Sequence, residues 1–153
     1  MGVIDKDMGW NKIMRDLADL DGTEVVAGIL KDSGVDSRGT PYTNIALYNE
    51  YGTKHIPARP AVRIAADTKG KEWQRIAEKG ICDIIDGRGN KSATCRAVGE
   101  AMKKDIQSIF GDTSKLASNA PSTIRKKNGR NEPLVDTGTL KKKVAYRVEG
   151  ENE

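Results

Sequence analysis

Reactive side chains are scarce in this sequence. Its 153 residues include two cysteines, one histidine and one phenylalanine. Cys82 and Cys95 are too few for a disulfide scaffold, and free thiols suit a chain that assembles in the cytoplasm. They lie thirteen residues apart without C-x-x-C spacing, and adding His55 still leaves a closed zinc site one ligand short. His55 itself reads as an ordinary loop residue. Neither G-x-x-x-x-G-K-S/T nor G-x-G-x-x-G occurs. Gly87-Arg88-Gly89-Asn90-Lys91-Ser92 resembles a phosphate loop in composition, lacks its glycine spacing and reads as a turn. The carboxylates Asp83 with Asp86, and Glu100 with Asp105, have the spacing of solvated helix faces. An enzyme needs positioned acids, bases, nucleophiles or metals, so no catalytic residue, metal or cofactor is expected. No apolar run reaches the roughly 18 residues of a membrane span. Asp5, Lys6 and Asp7 interrupt any signal-like run, so classical export is not expected.

Core-forming residues are also few. Aromatics make up 5% of the chain, and Leu, Ile, Val and Phe together supply 30 of its residues. That is near the level where disorder becomes a concern. The net charge is only +4, so the strong charge of a disordered chain is missing. One folded domain over 1–153 is expected, with a thin core and mobile loops at about 31–42 and 126–133. Further burial would come from a partner or from other copies of the chain.

Periodicity predicts the elements. Trp10, Ile13, Met14, Leu17 and Leu20 mark an amphipathic helix over 9–20, ended at Asp21-Gly22. Val25, Val26, Ile29 and Leu30 mark a strand over 23–30. After the turn-rich loop 31–41 comes a second helix, 43–51, which Gly52 stops. Pro57 and Pro60 keep 53–60 extended, and Pro60 suits the first position of a third helix. Val62, Ala65 and Ala66 are expected to face inward from it, and Gly70 to break or bend it before 71–86. Gly87 to Asn90 is a turn. A long helix, about 92–110, then carries Ala93, Ala97, Met102, Ile106, Ile109 and Phe110. These two long helices should form an αα-hairpin. A short helix starts near Ala120-Pro121, Asn128 to Asn131 is a polar loop, and Pro133-Leu134-Val135 is extended. Asp136 or Thr137 caps a turn reaching Leu140, and Val144, Tyr146 and Val148 alternate in a final strand. Pairing the terminal strands gives an α+β fold, a small antiparallel or mixed sheet packed on two long helices with extended loops or arms.

Charge is uneven. Residues 121–147 hold eight basic and two acidic side chains. Arg125, Lys126, Lys127, Arg130, Lys141, Lys142 and Lys143 could contact phosphates or an acidic protein surface; the alternative is a solvated face.

Two stretches carry a family signal. One is Tyr48-Asn49-Glu50-Tyr51-Gly52-Thr53 followed by Ile56-Pro57-Ala58-Arg59-Pro60. The other runs from Ala120 to Lys127, then Pro133-Leu134-Val135-Asp136-Thr137-Gly138-Thr139-Leu140, then Val144 to Val148. In this order, with long helices between, they resemble the tail-completion or type 1 neck proteins of long-tailed bacteriophages and prophages. The resemblance covers about 23–149. One departure is Ala61, where the family usually has a bulky aromatic after its Pro-Ala-Arg-Pro. The resemblance implies a ring of six copies in the virion, assembled in the host cytoplasm. The ring would sit between the head connector or adaptor proteins and the tail tube or tail terminator, around the channel through which DNA leaves. It makes Tyr51, Gly52, Ile56, Pro57, Arg59, Pro60, Asp136 and Thr137 candidate interface residues. The proline-stiffened arm could lie across a neighbouring subunit. Arg59 could then grip a carboxylate there, or else cap a helix of its own chain. Asp136-Thr137-Gly138 reads as a turn and cap, or as a partner contact.

Two other roles compete. A tail terminator or head-completion protein would occupy the same junction. A basic nucleic-acid-binding module would use the cations above, although only Tyr146 is at hand for base stacking.

Overall fold

The computed structural model describes residues 9–150. Its long elements follow the apolar spacing. Helix α1 (Trp10–Ala18) is followed by strand β1 (Glu24–Ile29) and helix α2 (Tyr42–Tyr51). Helices α3 (Ala61–Ile85) and α4 (Lys91–Ile109) form the hairpin. Short helices α5 (Pro121–Lys126) and α6 (Thr139–Lys142) precede strand β2 (Val144–Glu149). The class is α+β: among the described residues, six helices pack with one two-stranded antiparallel sheet.

The sheet joins the two ends of the described chain. Val25 pairs with Val148, Ala27 with Tyr146 and Ile29 with Val144. Side chains alternate across a strand, so these three pairs share one face, and the sheet packs on α4. A lone two-stranded ribbon is marginal in water, so α4 is what makes this one stable. The core holds Ala61 and Ala65 from α3, Ile106, Ile109 and Phe110 from the end of α4, and Leu116 and Val144. Each fully buried branched side chain such as Ile106 or Val144 contributes roughly 1.5–3 kcal/mol.

Backbone capping closes the hairpin. The Asn90 side chain accepts the Ala93 N–H at 2.9 Å, a standard N-cap. The Arg88 and Gly89 N–H groups both donate to the Asp83 carbonyl at 2.8 Å. Midway along, Trp73 Nε1 donates to Asp105 Oδ2 at 2.7 Å and ties α3 to α4. Two glycines let the layers approach closely. A Cβ at Gly80 would overlap the Thr94 side chain, and one at Gly99 would overlap the Tyr146 ring.

Several expectations are corrected. Helix α3 runs unbroken through Gly70 for 25 residues, because packing against α4 outweighs the roughly 1 kcal/mol helix penalty of glycine. It buries Ala61 rather than Ala66. On α4, Thr94, Cys95 and Gly99 are buried while Ala93 and Ala97 are exposed. Here α4 lies between α3 and the sheet, so two faces are covered and a single stripe does not describe it. Pro133-Leu134 is a turn, not an extended segment, closed by Val135 N–H to the Glu132 carbonyl at 3.3 Å. Leu134 has φ +63°, as the third residue of a type II turn requires. Gly138, in the left-handed conformation, is the N-cap of α6, while the Thr137 hydroxyl just before it accepts the Thr139 N–H at 3.4 Å. Finally, α1 buries no residue completely, and its Trp10 and Met14 are exposed.

Candidate functional site

The first signal stretch folds into a corner between α2 and α3. Gly52 ends α2 with φ +75°, and a Cβ there would lie 2.9 Å from the Ala58 nitrogen, so only glycine fits. Residues 53–60 double back instead of projecting as a straight arm. The Thr53 N–H donates to the Ile56 carbonyl at 2.8 Å, and the Arg59 N–H to the Asn49 carbonyl at 2.6 Å. The Glu50 carboxylate then accepts the N–H groups of Val62 (3.2 Å) and Arg63 (3.0 Å) in the first turn of α3. That caps α3 and places negative charge at its positive end.

Arg59 acts within its own chain. Its Nε donates to the Ala117 carbonyl at 2.8 Å and its Nη2 to the Ser118 carbonyl at 2.9 Å. These carbonyls lie in the link between α4 and α5, so Arg59 neither caps a helix nor has its fork free for a neighbour's carboxylate. Partial burial lowers its pKa from the ordinary value; a guanidinium still stays charged. Pro60 is the N-cap of α3.

Other residues of the corner face outward. Tyr51 is 68% exposed and Leu47 53%, and Tyr48 and Ile56 are also exposed. Pro57 is exposed as well. The Arg63 guanidinium lies 5.2 Å from the Tyr51 ring centroid, a cation–π distance. Beside them opens a groove of about 390 Å³, lined chiefly by apolar side chains including Leu47, Ala61, Val62, Phe110 and Leu134, with Glu50, Arg59 and Arg63 among its polar groups. Ala61 is buried in its wall.

The cationic segment divides in two. Lys127 donates to the carbonyls of Glu132 and Val135. Arg130 lies 3.6 Å from Glu132, and Lys143 is 5.4 Å from the Tyr42 ring centroid. Arg125 and Lys126 on α5, and Lys141 and Lys142 on α6, have no such ion pair or side-chain bond among the described residues. Asp136 is exposed, and the Thr137 hydroxyl bonds that of Thr139 at 2.7 Å. His55 lies in the exposed 53–56 turn. Among the described residues, no three His, Cys, Asp or Glu side chains could hold a metal, and no helix is long and apolar enough to cross a membrane.

Sequence reasoning missed Glu50 as the α3 cap, Leu47 on the open face and Ala61 in the groove wall. The Glu50 contact spans twelve residues, beyond the reach of local capping patterns. No protein-family model, curated protein or solved structure matches the chain.

Proposed function

We propose that this chain is a structural protein of a tailed bacteriophage or prophage, acting at the head–tail junction as a tail-completion or neck component. It works through protein–protein contacts in a ring, against head connector proteins on one side and tail tube or terminator on the other. The observation that best supports this is the division of labour in the α2–α3 corner. Asn49, Glu50, Gly52 and Arg59 lock the backbone, while Leu47, Tyr48, Tyr51 and Ile56 are held outward. A rigid scaffold presenting aromatic and aliphatic side chains is the form a protein-binding surface takes.

Deleting the gene from its phage or prophage tests this. The expected result is filled heads and full-length tails that do not join. Normal virions from the deletion strain would end the proposal. The unpaired cations of α5 and α6 favour a second, weaker reading, contact with DNA in the channel. A gel-shift titration at two salt concentrations measures it, since phosphate contacts weaken steeply with salt.

A further inference from the structure

Lys103 and Lys104 lie in the last two turns of α4, outside the basic segment 121–147. The fold brings part of that segment to them. The Gln107 side chain donates from Nε2 to the Lys141 carbonyl at 3.1 Å and fixes α6 against α4. Side chains three and four residues apart are neighbours on a helix surface, so Lys103 and Lys104 flank this junction with Lys141 and Lys142. Lys103, Lys104 and Gln107 border one open depression together with Glu100 and Ala101. Lys104 and Lys142 are exposed, and Lys103 and Lys141 half-buried. Lys103 stands 3.9 Å from Glu100. Lys104, Lys141 and Lys142 have no ion pair or side-chain hydrogen bond among the described residues. Lys143, next in the chain, is taken up by the Tyr42 ring.

We infer that this four-lysine surface, built by α4 and α6 together, binds the phosphate backbone of duplex DNA. It deepens the second reading above by naming the surface that meets DNA, and its place at a channel rests on that reading. Four ammonium groups beside one carboxylate make a local positive potential that attracts a polyanion. What is missing from the surface selects the class of polyanion. A protein interface needs an apolar or aromatic centre. Among the described residues, no large exposed apolar side chain lies on the C-terminal half of α4 or on α6. The same lack disfavours single strands, whose bases stack on exposed aromatic rings; Tyr146 packs its ring against Gly99 instead. Lysine is a compact, strongly hydrated point charge, suited to phosphate oxygens without reading sequence. Such contacts let a protein slide along DNA, as a duplex passing through a channel requires.

Fluorescence anisotropy of a short labelled duplex, titrated with the full-length chain over a salt series, tests this. Raising salt from about 50 to about 200 mM should weaken binding on the order of 100-fold, the slope that about four neutralised phosphates give. A chain carrying Lys103→Gln, Lys104→Gln, Lys141→Gln and Lys142→Gln together should lose most of the binding and nearly all of its salt dependence. Its thermal melt should stay within a few degrees, as for surface changes. Replacing the same four lysines by arginine should restore binding. Arg125→Gln with Lys126→Gln on α5 should leave affinity and slope as they were. The inference is overturned by any of five results: no duplex binding at low salt, equal binding by the four-glutamine chain, a larger loss from the α5 pair, tighter binding of single strands, or poly-glutamate bound as tightly as the duplex. The last would mark an acidic protein surface as the partner. Salt-dependent duplex binding alongside normal virions from the deletion strain would remove the neck reading and leave this surface. Failed joining without duplex binding would remove this surface alone.

Discussion

Gly99 stands in the middle of α4, where glycine weakens a helix by roughly 1 kcal/mol relative to alanine. It is there because the Tyr146 ring occupies the space of a Cβ. Gly99→Ala therefore destabilises the fold despite its better helix propensity, by about 1–3 kcal/mol as an overpacking change; urea denaturation measures it. Two carboxylates make a pH prediction at the same scale. The Asp36 carboxylate is held below its ordinary pKa by the backbone N–H of Thr40 and then of Arg38. That of Asp112 is lowered by the Ser114 hydroxyl and N–H. A pKa lower in the folded state gives stability that is present above the unfolded value and lost as pH falls through the folded one. NMR titration should find both groups ionising below a reference aspartate, with the amide signals of Arg38, Thr40 and Ser114 shifting along with them.

Elements explain why the corner is rigid. Helix α3 starts without any side-chain cap from its own N-cap, Pro60, and takes its cap from Glu50 of α2 instead. Glu50→Ala should cost about 1 kcal/mol, the usual worth of an N-terminal cap, and should raise hydrogen exchange at Val62 and Arg63 before the rest of α3. Arg59 performs a parallel task between α3 and the link to α5. Arg59→Ala leaves the Ala117 and Ser118 carbonyls without these donors, so exchange should rise across 117–120 while the α3–α4 hairpin stays protected. Equal loosening of the whole hairpin would show that Arg59 supports the core rather than the link.

For the whole molecule, the core and the outward surface are separable. Tyr51 is mostly exposed, so Tyr51→Ala should leave the melting temperature within a few degrees, as a surface change does. In complementation of the deletion strain it should lower the yield of joined virions; full complementation would place the partner contact elsewhere. Much of this architecture was legible in the sequence. Apolar periodicity is local, so it determined the helices, the hairpin turn at 87–90, the terminal strands and their α+β class. What only the tertiary structure decided depends on contacts between residues distant in the chain. Arg59 spends its fork on carbonyls almost sixty positions away, Glu50 caps a helix not its own, and α4 is covered on two faces. Trp10 and Met14 carry the pattern of a buried stripe yet remain outside, because periodicity records which side chains share a face, and only packing decides whether anything covers it.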